Sequence, residues 1–498
     1  MCNKDEHRTS KSVPAFTDEE LNACSEYRSL SRRRFLKQSS MAAAGFMTAP
    51  SWIPKVVLGN GRKRGGMTPD VLVSVFWRGG PDLLSQAIPY SDKWLYLAPY
   101  NSGSESFENG LRPTIGINPP DARDPDPGAF RCLDAGDRGI VGSDAFGLNK
   151  AYADREYQGA NDRNNIFDFF NAGEVAFIPA AGSPDTNRSH FVAESLIEYG
   201  TPNQQIDEVT GWLSRYLSLV PSLGGPLRAA ALTSNTLIPK MLAFAEQSMA
   251  FQAVEDVVLP GNSSTAAIRE QILSARYAAQ TEEPLQGTVL NAFEVINLLE
   301  QVPVEPHPDA RYTNSSFGSR MMASAALIKG GVPVEVICGD RTGWDNHANL
   351  GPHLGGGMYN RLKDISQNLA AFRVDLQDHW HRVTLVTQGE FGRQINENAD
   401  FGTDHGNGGL LMVWGGNVNG RFYCKQSMGG SDGWPGLNPD LTIDDDAIRT
   451  TIDYRAVYRE ILTKRMFVDP AVVDEYIFST NDELPPPVLD ELGIINDK

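Results

Sequence analysis

Residues 382–409, RVTLVTQGEFGRQINENADFGTDHGNGG, decide the fold. They begin with Val383-Thr384-Leu385-Val386-Thr387, a short, β-branched, apolar run that predicts a buried strand. Directly beyond it the chain turns polar and presents Glu390, Arg393, Asp404 and His405. Carboxylates and an imidazole just past the carboxyl end of a buried strand stand where open α/β sheets hold their ligands.

Three other segments repeat this grammar. A strand over 71–77 ends in Arg78-Gly79-Gly80-Pro81-Asp82, where the glycines allow a sharp turn. A strand over 175–179 runs into a polar loop, 182–190, and then a helix stopped by Gly200, with Ser189 as its expected N-cap. A strand over 334–338 ends in a polar stretch carrying Asp345-Asn346-His347. Shorter strands are expected at 229–233 and 410–414. Helical patterns run over 166–172, 211–219, 238–254, 266–277, 289–299, 318–329, 359–380 and 454–464, with a short one near 470–478. Strands alternating with helices predict an α/β chain with a doubly wound, mostly parallel sheet flanked by helices. Residues 99–165, rich in Pro, Gly, Asp and Asn, read as a surface insertion with little regular structure.

A formal charge of −18 argues against nucleic acid or an anionic membrane surface as partner, because both need a positive field. The cysteines, Cys2, Cys24, Cys132, Cys338 and Cys424, include no CxxC pair, so neither a zinc ribbon nor a thioredoxin-like motif is present. The first thirty residues are polar and mixed in charge. Next, Ser31-Arg32-Arg33-Arg34-Phe35-Leu36-Lys37 precedes the apolar stretch 41–47 and resembles a twin-arginine export signal at every position. That resemblance implies passage through the twin-arginine translocase, cleavage between 49 and 66, and a periplasmic or extracellular home. No run of 18 apolar residues exists, so no membrane span is expected after processing. The expected organisation is a leader over 1–66, a main domain over 67–470 with a helical middle at 205–330, and a tail over 471–498.

In a parallel sheet, loops that follow strands share one edge. Asp82, Ser189, Asp345, His347, Glu390, Asp404 and His405 can therefore meet in one crevice. Hard carboxylates with imidazoles suit a divalent cation such as Zn, Mn, Mg or Fe. The set is large enough for one ion or for two roughly 4 Å apart, an arrangement that clamps both oxygens of a phosphoryl or sulfuryl transfer. Ser189 at a helix N-terminus would sit where an anion is favoured, and a metal contact would activate it as a nucleophile. Arg78, Arg188 and Arg393 are candidates for gripping an anionic group. Each residue taken singly also has a structural reading: Asp82 and Ser189 as caps, the Asp-Asn-His and Asp-His runs as turns, Glu390 and Arg393 as an ion pair.

Arg78-Gly79-Gly80-x-Asp82, Asn187-Arg188-Ser189-His190-Phe191, Gly211-Trp212-Leu213, Asp345-x-His347-Ala348-Asn349, Glu390-Phe391-Gly392-Arg393 and Thr403-Asp404-His405-Gly406 occur in that order. Together they resemble the family called domain of unknown function 1501, part of the alkaline phosphatase and sulfatase superfamily, over residues 70–465. The resemblance implies an alkaline-phosphatase-like fold. It also implies Asp82 as first metal ligand, Ser189 as nucleophile, Asp345 with His347 and then Glu390 as further ligands, and His405 as the last. Two departures stand out. Glu390 is followed by Phe391 rather than His or Asn, and His347 is only two residues from Asp345. They leave three outcomes open: one ion in place of two, Asp404 as a substitute ligand, or a site no longer catalytic. No Cys/Ser-x-Pro-x-Arg motif surrounds Ser189, so a formylglycine sulfatase is not expected. The expected function is an exported, metal-dependent hydrolase of small anionic phosphate or sulfate esters, in which Ser189 attacks and Arg188 steadies the anion. The alternative is a non-catalytic cell-envelope module that binds a polyanion or a partner protein.

Overall fold

The computed structural model describes residues 70–92, 95, 110–120, 131–135, 146–154, 165–202, 210–222, 224–234, 237–258, 268, 270–273, 275, 285–423, 434–438, 440, 442–444, 446–478, 489 and 491–496. The expected leader, with its twin-arginine motif, lies outside them, as does half of the helix expected over 266–277. Among the described residues no helix is long and apolar enough to cross a membrane.

An eight-stranded sheet forms the centre. The strands of the molecule, in chain order, are β1 (Val71–Trp77), β2 (Ala87–Ile88), β3 (Leu133–Asp134), β4 (Gly147–Leu148), β5 (Val175–Gly182), β6 (Ala229–Leu232), β7 (Ser248–Ala250), β8 (Val336–Arg341), β9 (Val383–Gln388), β10 (Gly409–Gly415) and β11 (Ile452–Asp453). The large sheet runs β11-β5-β10-β9-β1-β8-β6-β7. Only β10 is antiparallel to its neighbours; the other pairings are parallel. The doubly wound, mostly parallel architecture expected from the alternating pattern is thus present.

Every residue of β1 is buried, and successive side chains enter opposite layers. Val71, Val73, Val75 and Trp77 join one core with Phe317, Leu362 and Phe372, while Leu72 and Phe76 join another with Trp212, Tyr458 and Ile461. The first core is covered by α5 (Ser316–Lys329) and α6 (Gly357–Leu376). The second is covered by α3 (Trp212–Leu219) and α7 (Tyr454–Lys464). Other helices among the described residues include α1 (Ile166–Asn171), α2 (His190–Tyr199), α4 (Leu285–Leu299) and a short turn, Pro470–Val472, that runs on into Val473–Ile477. A strand buried on both faces reads as continuous apolar sequence, which is why β1, β8 and β9 were recognisable.

Two expectations are corrected. The helix expected over 238–254 is instead a turn of 3-10 helix, Lys240–Leu242, followed by β7 and a second 3-10 turn, Val254–Asp256. Phe244 and Gln247 have positive φ, which ends any helix between them. Met249 and Ala250 then pack toward opposite cores with a strand's period of two. The stretch over 99–165 is also more than a loop. Its β4 pairs with β3 on one side and β2 on the other, and Phe146, Leu148 and Tyr152 are buried in the first core.

The reversal of β10 places the site. The chain leaves β9 at the carboxyl edge of the sheet, crosses that edge through residues 389–408, and enters β10 from the same edge. All of Glu390, Arg393, Asp404 and His405 are therefore kept beside the loops that follow β1, β5 and β8.

Candidate metal centre

Three imidazoles converge on one carboxylate oxygen. Asp345 Oδ1 lies 3.1 Å from His347 Nε2, 3.4 Å from His405 Nε2 and 3.5 Å from His190 Nε2. Ligand atoms of His190, Asp345 and His405 all fall within 4.8 Å of one another, a separation that can enclose one cation.

Each histidine is oriented through its other nitrogen. His190 is the first residue of α2, and its Nδ1 donates to Glu390 Oε1 at 2.6 Å. His347 Nδ1 donates to Asp404 Oδ1 at 2.7 Å, and His405 Nδ1 donates to the carbonyl of Arg188 at 2.8 Å. Carboxylates and carbonyls only accept, so Nδ1 is the donor in all three rings, and in the corresponding neutral tautomer the lone pair lies on Nε2. This is the outer arrangement that holds metal-ligating histidines in place. His347 Nε2 and His405 Nε2 nevertheless approach to 2.9 Å. Two lone pairs that close repel, so the gap is stable only with a cation between or beside them, either a proton or a metal ion. His190 Nε2 is buried without a hydrogen-bond partner, as is Glu390 Oε2. Orphan buried polar atoms at one place mark a site built for something more.

The electrostatics agree with cation binding. Burial disfavours the charged form of His190, but the hydrogen bond and charge of Glu390, aided by Asp345, outweigh it and raise its pKa. Burial together with the nearby Arg393, His190 and His347 charges lowers that of His405. Asp345 is pulled down to about 2: burial opposes this, but the Arg393 hydrogen bond and charge dominate, with help from His190 and His347. The hydrogen bond from His347 lowers Asp404. Asp345 and His347 stay roughly half exposed, with side-chain exposures of 49% and 45%, so the cluster opens to solvent.

The other sequence-predicted residues take different positions. Asp82 is fully buried, and its two oxygens are held by the two terminal guanidinium nitrogens of Arg112, at 2.5 and 2.8 Å. Glu390 and Asp404 stand behind His190 and His347 as orienting acceptors. Arg393 is enclosed by the carbonyls of Gly79, Gly80, Trp344 and Thr403 and donates to Asp345 Oδ1 at 2.7 Å. Arg78 is bound by Glu194 and Glu198, and Arg188 pairs with Asp444 and Asp446. Ser189 caps α2 by position only, since its side chain makes no bond to the helix end. Sequence reasoning missed His190 as a candidate ligand, although in sequence it follows a strand as His347 and His405 do. It also missed Arg112, which no local pattern marks.

A family model described as a protein of unknown function (DUF1501) matches residues 179–463. No curated protein matches the chain. Among solved structures, the PsFucS1 sulfatase from Pseudoalteromonas sp. is similar at 14% identity, with a TM-score of 0.29, over 90% of this chain and 78% of that one. The alkaline phosphatase from the Antarctic bacterium TAB5 is similar at 9% identity, with a TM-score of 0.21, over 70% and 92%. A mutant of the TAB5 enzyme with Mg bound in its M3 site is similar at 9% identity, with a TM-score of 0.23, over 54% and 86%.

Proposed function

We propose that this chain, which belongs to the DUF1501 family of proteins of unknown function, is a divalent-metal-dependent hydrolase of phosphate or sulfate esters, exported by the twin-arginine route. The observation that carries the reading is the convergence of three Nδ1-protonated histidines, Nε2 first, on the carboxylate of Asp345. His190, Asp345 and His405 would hold one ion, with His347 beside them as a further donor. A divalent ion bound there supplies Lewis-acid stabilisation of anionic oxygens and lowers the pKa of an adjacent hydroxyl.

The chain's own residues do the rest. Glu390 fixes the His190 ring in the tautomer that leaves Nε2 free, and Asp404 does the same for His347. Ser189 precedes His190 in sequence, with its hydroxyl uncommitted to capping, at the N-terminus of a ten-residue helix that favours an anion. It is the proposed nucleophile. The carbonyl of Arg188 ties the Ser189 loop to His405, so nucleophile and ligands are held by one bonded frame.

One observation favours the non-catalytic alternative. Arg78, Arg188 and Arg393 are all engaged by protein carboxylates, so anion-gripping arginine is scarce at this edge. The two readings separate cleanly. Protein purified without chelator is expected to carry one metal equivalent by elemental analysis and to hydrolyse aryl phosphate or aryl sulfate. Ser189→Ala should abolish turnover while keeping the metal, and His405→Ala should lose both. Metal-replete protein inert toward both ester classes would favour the binding module; protein that takes up no ion would end the hydrolase reading.

A further inference from the structure

The turn that ends β1 touches the segments that carry His190 and Asp345. Arg78 Nη1 donates to Glu194 Oε2 and Nη2 to Glu198 Oε1, each at 2.8 Å, and Nε lies 3.5 Å from Asp340 Oδ2. Glu194 and Glu198 follow His190 by one and two turns of α2, so all three lie on one face of that helix. The next residue acts on the same histidine from the other end. Gly79 N–H donates to Glu390 Oε1 at 2.7 Å, the oxygen that also receives His190 Nδ1. Gly79 has φ +116°, and a Cβ there would collide with the backbone nitrogen of Asp345 and lie 2.8 Å from the carbonyl carbon of Trp344. Its carbonyl and Asp345 Oδ1 are both held by Arg393 Nη2.

We infer that Arg78 is a positioning residue for the metal centre: its fork on Glu194 and Glu198 fixes the rotation and advance of α2, and thereby sets His190 Nε2 against Asp345. The inference rests on the metal-binding reading above. A simple ion pair would need one carboxylate. Here one planar guanidinium spans two carboxylates on successive turns, which defines the helix's angle and its position along its axis. Glu198 is also fixed from behind by the amide of Lys240 at 2.7 Å, so the fork acts against an anchored partner. Lysine, a point charge without the planar fork, could attract both carboxylates but would not fix their relative geometry.

The test uses the full chain with Co²⁺ as probe, followed by visible absorption, whose bands report the ligand set as well as affinity. Arg78→Met is expected to bind Co²⁺ about 10–100-fold more weakly, the usual effect of losing an outer-sphere support. Its spectrum should move toward that of His190→Ala. Arg78→Lys should fall between wild type and Arg78→Met. Should Arg78→Met not fold, Glu194→Gln removes one arm of the fork and should show a several-fold loss with the same spectral direction. Arg459→Met breaks a comparable pair with Asp474, at 2.7 and 2.9 Å, elsewhere on the surface and should change neither readout. An unchanged spectrum in both Arg78 variants, or an equal loss in Arg459→Met, would overturn the inference while leaving the metal site standing. Wild-type protein that takes no Co²⁺ would overturn the metal reading, and this inference with it.

Discussion

At the scale of single residues, the site turns on which nitrogen of each histidine faces the centre. That detail is invisible in sequence, because it depends on acceptors up to 217 positions away, as between His405 and the Arg188 carbonyl. Asp345 and His347 are legible as candidates because they stand a few residues past an apolar run, and His405 because it closes the polar loop that follows one. His190 obeyed the same rule but was overshadowed by the serine before it. Asp82 also stands past a strand, and its charge answers the buried Arg112. Glu194, beside the Arg78 fork, offers a test in pH. Burial raises its pKa to about 7; Arg78 draws it down, while Glu390 and Glu198 push it up. A raised acid binds its proton more tightly folded than unfolded. Its contribution is therefore complete below its ordinary pKa and disappears as pH rises through 7. A shift of that size corresponds to on the order of 3 kcal/mol across the window. Glu194→Gln should flatten the fall in stability between pH 5 and 8, measured by urea denaturation at stepped pH; an unchanged slope would remove Glu194 as its source.

At the scale of elements, what sequence revealed followed burial. Strands covered on both faces and helices with a long apolar stripe were placed within a few residues. The region over 238–254 failed because its apolar residues fit a helical period, while positive φ at Phe244 and Gln247 and pairing with β6 decided otherwise. The strap over 110–117 was equally hidden. Arg112 reaches from it to Asp82 and to the carbonyls of Gln394 and Ile395, tying the insertion to the loops after β1 and β9. Both partners of the Asp82 pair are almost wholly buried, with side-chain exposures of 2% and 1%. Removing one strands a buried charge, and such losses run to about 3–5 kcal/mol. Arg112→Ala should therefore lower stability by that amount in chemical denaturation. Asp82→Asn should destabilise less and keep its metal equivalent, since the proposed site takes its carboxylate from Asp345; loss of metal in Asp82→Asn at a temperature where the protein stays folded would return Asp82 to the ligand set.

At the scale of the whole molecule, the sheet brings together residues that the chain separates. β1, β5, β8 and β9 run in one direction, so the loops after them open on a single edge, and the reversal of β10 keeps the stretch between Glu390 and His405 on it. This much could be read from four apolar runs with polar ends. Which carboxylates would face inward could not, because that depends on arginines delivered from other elements. The arrangement has a thermodynamic consequence. His190, Asp345 and His405 come from three separate segments and are adjacent only in the folded chain, so an ion they share binds the native state and not the unfolded one. Linkage then raises stability by about 2.7 kcal/mol at an ion concentration one hundred times the dissociation constant. Thermal melts of chelator-treated protein should rise by a few degrees on adding the preferred divalent ion and return on adding chelator. His405→Ala should melt near the ion-free wild type and show no rise, because it lacks a ligand on the loop that the reversed strand fixes in place. A rise of equal size in that variant would mean the ion binds elsewhere, and the three segments would share an edge without sharing a cation.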